Sequence, residues 1–202
     1  KFRFSERPDT AAASILEGNI VILVDNSPAC MILPSSVFDI IEEADDYYFP
    51  PVTGTYLRLS RMMTGVLCLL LTPTWLLGMM HADALPQWLA FTKLSDRTYV
   101  PLIFQLLILE FAIDGLRLAA VNTPSMLTTP LSVIAGIVLG EYSVKSGWFN
   151  SEIMLYMAFV SIANYTQPNF ELGYALKFMR LLLLILTAIF NLPGFLTGCL
   201  IV

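Results

Sequence analysis

The sequence predicts a mainly α-helical protein. A polytopic helical membrane domain of about five segments covers residues 57–202, and the end of a small cytoplasmic α/β domain, a β-hairpin with short helices, covers residues 1–56. Three observations carry that prediction. Of the 202 residues 56% are hydrophobic and 13% charged, with a mean hydropathy of +0.71, whereas an ordinary soluble domain has about 45–50% apolar and about 25% charged residues. The charge is partitioned: residues 1–56 hold nine acids and three bases, a net of −6, while residues 57–202 hold eight bases and seven acids, a net of +1. Almost all the long apolar runs lie beyond Pro50-Pro51.

In the head, Pro8-Asp9 followed by Thr10 to Glu17 reads as a short helix. Asp9 is its N-cap, Ala11, Ala12 and Ala13 favour it, and Gly18 ends it. Ile20–Val24 and Ala29–Leu33 are β-rich runs separated by Asp25-Asn26-Ser27-Pro28, which is turn chemistry, so they predict a hairpin. A lone hairpin is marginal, and it is expected to add to a sheet supplied by chain upstream of Lys1, the sequence reading as part of a longer protein. Ser35–Ala44 reads as a helix opened by a serine cap, and the acidic run Glu42–Asp46 as a solvated face.

Five apolar segments follow: Leu57–Met80, Pro101–Val121, Pro130–Ser146, Ser151–Thr166 and Lys177–Val202. A spanning helix needs about 20 apolar residues, so the first, second and fifth suffice, while the third and fourth are marginal and could be tilted, short or re-entrant. Arg58 and Arg61 flank the first segment, whereas Lys93 and Arg97 in the next loop are balanced by Asp83 and Asp96, which places the head in the cytoplasm. Arg117, Lys177 and Arg180 fit the same side. Strict alternation then puts Val202 outside; a cytoplasmic C-terminus requires a re-entrant segment or a turn at Asn191-Leu192-Pro193-Gly194. No internal repeat is visible, which weighs against inverted-repeat transporters.

Composition also excludes chemistry. One histidine, His81, and three scattered cysteines, Cys30, Cys68 and Cys199, cannot build a zinc site, an iron–sulfur cluster or a disulfide framework, so no cofactor and no metal is expected. A net charge of −5 disfavours nucleic acid. Asp114-Gly115 with Arg117 faintly resembles the aspartate-glycine-arginine block of metal-dependent membrane phosphotransferases. The second aspartate pair such enzymes need is absent, since only Glu141, Glu152 and Glu171 follow, so no enzyme is expected.

The most informative cluster is Glu110, Asp114 and Arg117, which i,i+4 and i,i+3 spacing puts on one helical face. Glu110 lies about 13 Å past Pro101, near the middle of a core about 30 Å thick. Against lipid, Asp or Arg there costs about 2.5–3.5 kcal/mol each, so the face meets protein or water. It is either an ion path or gating network, or an internal Asp114–Arg117 pair that stitches the bundle; Glu110 has no base three or four positions away, and a structural role would need one from another segment such as Lys145 or Arg180. Ser132, Gly136 and Gly140 form a small-residue stripe suited to close helix packing, and Ala158, Ser161 and Asn164 suit a water-lined wall or interhelical hydrogen bonds.

Glu6-Arg7-Pro8-Asp9 and Leu16-Glu17-Gly18-Asn19-Ile20-Val21-Ile22-Leu23-Val24-Asp25-Asn26-Ser27-Pro28 closely resemble a head motif of the spore germination GerA family, the A subunits of germinant receptors. The resemblance runs on through Asp46-Tyr47-Tyr48, Glu110…Asp114…Arg117, Gly140–Gly147 and Gln167-Pro168 to Arg180. Within the family, Pro51–Arg58 and Thr10–Ser14 look most like the stage V sporulation AF branch. The resemblance implies a multi-pass protein of the spore inner membrane that forms a homo-oligomeric, pentamer-like ring and passes monovalent cations early in germination. It implies B and C receptor subunits as partners, or a small membrane partner in the AF branch. Glu141 and Lys145 depart from the receptor subunits, which leaves pore assignments by analogy open. By the residues alone, a secondary ion-coupled transporter or a membrane scaffold stays in play.

Overall fold

The computed structural model describes residues 2–41, 43, 46, 48–94, 98–122, 130 and 133–202. It is mostly helical, with a small three-stranded sheet near the N-terminus, and it divides into two compact units: Lys1–Gly65 with Tyr165–Tyr174, and Val66–Asn164 with Ala175–Val202.

In the first unit, β1 (Arg3–Ser5), β2 (Ile20–Ile22) and β3 (Cys30–Leu33) form an antiparallel sheet in the order β1-β3-β2. The expected hairpin is present, with Val21 opposite Ile32 and the turn residue Asn26 at φ 60°. Its third strand comes from the chain itself: Phe4 pairs with Met31 across β3's other edge. Helix α1 (Pro8–Leu16) begins two residues earlier than a cap at Asp9 would allow. Proline is at home in the first helical position, where its missing N–H costs nothing, so Arg7 takes the cap position and Asp9 lies in the first turn, its carboxylate accepting from Thr10 N–H and the Arg7 guanidinium. The Arg7 guanidinium holds the Asp9 carboxyl below its ordinary pKa. Gly18 at φ 91° closes the helix, with Asn19 N–H donating to Ser14 carbonyl.

Helix α2 (Val37–Ile41) is opened by a reciprocal cap: Asp39 N–H donates to Ser36 Oγ, and Ser36 N–H to Asp39 Oδ2. Ala11, Cys30 and Ile32 form the small core of this unit. Arg3 ties its edges, donating to Asp39 carbonyl at 2.6 Å and to Ser14 Oγ at 3.0 Å.

The acidic run departs from its solvated reading. Asp46 is 4% exposed and ion-paired with Arg61, whose other nitrogen meets Glu43 at 2.8 Å. Three turns into α3 (Pro51–Met80), Arg61 collects the two carboxylates in an ion-paired clamp, and Gly54 makes room for it, since a Cβ there would stand 3.0 Å from Asp46 carbonyl. Glu42 and Asp45 lie outside the described residues.

The second unit is built from α3 beyond Gly65, α4 (Leu102–Asn122), a π-helical stretch Gly136–Tyr142 running into α5 (Ser143–Lys145), α6 (Ser151–Tyr165) up to Asn164, and α7 (Phe170–Ile201) from Ala175 on. Trp75 and Leu76 of α3, Leu106 and Leu109 of α4, Ile153 and Met157 of α6, and Leu184 of α7 meet in one core with Phe149. Among the described residues two helices, α3 and α7, are long and apolar enough to cross a membrane, by length and composition. Helix α4 has 21 residues, about 31 Å, but carries three charges.

Helix α7 is not one rod. Asn191 leaves helical geometry at φ 57° and ψ −135°, and the chain turns back on itself there. Gly194 and Gly198 return along Leu186 and Leu183, and a Cβ on Gly194 would clash with the Leu186 carbonyl oxygen. The sequence Asn-Leu-Pro-Gly supplies this reversal: asparagine tolerates positive φ, proline cannot continue the ladder, and glycine alone fits the close approach.

Candidate functional site

In the second unit, α3, α4 and α7 bring two carboxylates and two bases together among apolar residues. Glu110, Lys177 and Arg180 are 4%, 5% and 2% exposed. Such burial is costly for isolated charges and is sustained by pairing. Arg180 pairs with Glu110 through Nη2, and its Nη1 donates to Cys68 carbonyl and Cys68 Sγ, each at 3.0 Å. Lys177 Nζ pairs with Asp114, stands 3.4 Å from Glu110 Oε2, and donates to Glu110 carbonyl at 3.5 Å. The Asp114 side chain is 32% exposed and is the open end of the cluster.

Helical periodicity explains the arrangement. Glu110 and Asp114 are one turn apart on α4, Lys177 and Arg180 nearly one turn apart on α7, so each helix presents an aligned pair to the other. The sequence places the two acids on one face, and the structure supplies the bases from α7. Asp114 has a partner from the facing helix in Lys177, whose ammonium reaches its carboxylate. Glu110 takes Arg180, one of the two partners a structural role required. Lys145 is occupied elsewhere, 2.5 Å from Glu141.

Of the other predicted residues, Asn164 meets the cluster through Cys68, while Gly136, Gly140 and Ser161 line a cavity. Among the described residues, no atom lies within 4 Å of a Cβ added at Gly136 or Gly140, so no described helix packs closely on them. They line an apolar cavity of about 360 Å³ together with Leu109, Ile113, Met157 and Ser161. The Ser161 hydroxyl is turned back to Met157 carbonyl at 2.7 Å, and Asn164 Oδ1 faces Cys68 Sγ at 4.0 Å. Ser132 lies outside the described residues.

Two features escape sequence reasoning. Cys68 becomes a ligand of Arg180, and nothing in an apolar run marks it. Gln105, fully buried, donates to Thr98 Oγ1 at 2.8 Å, Val100 carbonyl at 2.7 Å and Asn150 Oδ1 at 3.0 Å, and accepts from Asn150 N–H at 3.0 Å. A glutamine in an apolar segment is the signal that could have found it. Among the described residues no group of three His, Cys, Asp or Glu is placed to hold a metal.

Among the described residues, two helices of membrane length and charges buried between helices fit a membrane-protein class. The family model described as Bacillus/Clostridium GerA spore germination protein matches residues 1–202, and the chain belongs to that family. It is 37% identical to stage V sporulation protein AF of Bacillus subtilis over 97% of this chain and 40% of that protein. It is 28% identical to spore germination protein A1 of Bacillus subtilis over 98% of this chain and 42% of that protein. An uncharacterized membrane protein of the same organism, YfkQ, is 29% identical over the whole chain and 40% of its own length. The chain spans about two fifths of the length of these curated relatives. No solved structure matches it.

Proposed function

We propose that the chain is the membrane-embedded part of a spore germination subunit that assembles as a homo-oligomeric, pentamer-like ring in the spore inner membrane and releases monovalent cations from the spore core. Family membership supports the setting. The observation that carries the ion reading is the cluster of Glu110, Asp114, Lys177 and Arg180 in the interior of apolar helices, with Asp114 open for a third of its side chain. Intramembrane charges of this kind default to ion pathways or their gates. In this reading the five apolar segments form the membrane body, residues 57–202, the head of residues 1–56 is cytoplasmic, and the small-residue face at Gly136 and Gly140, with Ser132, meets a second copy. Ser161, Asn164 and Arg117 belong to the ion pathway or its gate. Partners are other germination membrane proteins: B and C receptor subunits, or a small membrane partner as in the AF branch.

The test is the mass of the purified protein in mild detergent, followed by cation efflux from proteoliposomes. A monomer that passes no ion would remove the proposal. A second reading, a secondary ion-coupled transporter, draws on one observation: the four charges come from a single chain, as a midplane transporter site does. A monomer with saturable, coupled flux selects it. An assembled protein that moves no ion leaves a scaffold.

A further inference from the structure

We propose that Asp114 and Glu110 form a monovalent-cation site that the chain fills with its own ammonium, Lys177 Nζ, as a tethered occupant that a free alkali cation displaces. This rests on the cation-pathway reading and specifies where in it a cation would stop.

The geometry is that of a cation among oxygens. Lys177 Nζ is paired with Asp114 Oδ2 and has Glu110 Oε2 at 3.4 Å and Glu110 carbonyl at 3.5 Å. Carboxylate and carbonyl oxygens are hard donors, the kind alkali cations take in place of water. Glu110, Asp114, Lys177 and Arg180 balance among themselves, two carboxylates against two bases. With the ammonium withdrawn these four side chains carry one net negative charge, the charge that one monovalent ion supplies.

The two bases are not equivalent. Arg180 is fixed by three partners, its planar head spanning Glu110, Cys68 carbonyl and Cys68 Sγ. Lys177 is a point charge on a flexible four-carbon stem, able to leave without breaking a fork of hydrogen bonds. Its exit is on the Asp114 side, where that side chain is 32% exposed, whereas the Glu110 side is 5% exposed. Arg180 therefore keeps Glu110 in place while Lys177 yields the site.

The experiment is thermal unfolding of the full chain in mild detergent, followed by tryptophan fluorescence, for wild type, Lys177→Met, Lys177→Gln and the double variant Asp114→Asn/Lys177→Met. Each is measured in rubidium chloride and, at matched ionic strength, in N-methylglucamine chloride, whose cation is too large for the site. Both single variants are expected to melt higher in rubidium, by about 3 °C at a concentration well above the dissociation constant. Wild type, in which the ion must first displace Lys177, is expected to shift by less than the single variants, and the double variant is expected to be indifferent. Folded single variants with no rubidium dependence overturn the proposal, and so does an equal response in the double variant. Single variants that stay unfolded even in rubidium also overturn it, because an ion in the site should replace the missing charge. Rubidium dependence of Lys177→Met without efflux from wild-type proteoliposomes keeps the site and removes the pathway reading; efflux without rubidium dependence does the reverse.

Discussion

Replacing Glu110 by glutamine isolates one charge in the body. The side chains of Glu110 and Arg180 are 5% and 3% exposed, so solvent does not screen the pair. Two unit charges about 4 Å apart interact by about 4 kcal/mol at the effective dielectric that reproduces buried sites. Glutamine keeps the shape and removes the charge. Arg180 is left with Cys68 carbonyl and Sγ, both neutral, while Lys177 keeps Asp114. Breaking a buried pair from one side typically costs about 3–5 kcal/mol, a large share of a total stability of about 5–15 kcal/mol. We expect Glu110→Gln to lower both the thermal midpoint in detergent and the level of protein in the membrane. Arg180→Met should do the same. The double variant should cost less than the sum of the two, with a coupling of about 0.5–3 kcal/mol, because no charge is then stranded. Wild-type abundance of Glu110→Gln with slowed ion release would refute this reasoning and make Glu110 a solvated ion ligand. Additive losses in the double variant would refute the pairing itself.

Gly194→Ala should destabilise by about 1–3 kcal/mol, toward the upper end because its obstacle is the Leu186 backbone; Gly198→Ala, which meets only leucine side-chain atoms at 3.3–3.4 Å, should cost less, and chemical unfolding in detergent ranks the two. Among the described residues Asp46→Ala leaves Arg61 paired with the half-exposed Glu43, so the chain just before α3 should be cut faster in limited proteolysis than in wild type, with the helices beyond residue 66 unaffected. Gly136→Leu and Gly140→Leu meet no described atom within 4 Å of the added Cβ, so each protomer should keep its stability within about 0.5 kcal/mol while the oligomer mass on native gels falls. An unchanged mass for both would detach the small-residue face from assembly.

The elements whose signals are local were legible before any coordinates. The turn Asp25-Asn26-Ser27-Pro28 between two β-rich runs, the serine cap before α2, Gly18 past α1 and the apolar runs of α3 and α7 are written in adjacent residues, because turns, caps and burial periods act over a few positions. Strand β1 was missed: three residues give too short an alternation to stand out, and it exists because β3 offers it a free edge. The break in the last segment was visible as Asn191-Leu192-Pro193-Gly194, but that the chain reverses there shows only in Gly194 meeting Leu186.

Charge pairing was decided by the tertiary structure. The sequence put Glu110, Asp114 and Arg117 on one face, since a 3.6-residue repeat settles which residues share a face. It could not say what that face meets. Lys177 and Arg180 come from 67 and 70 positions away, and Asp46 finds Arg61 across fifteen. An ion pair depends on distance in space and on exclusion of water. Both arise when helices pack, and neither is encoded in the spacing along one of them.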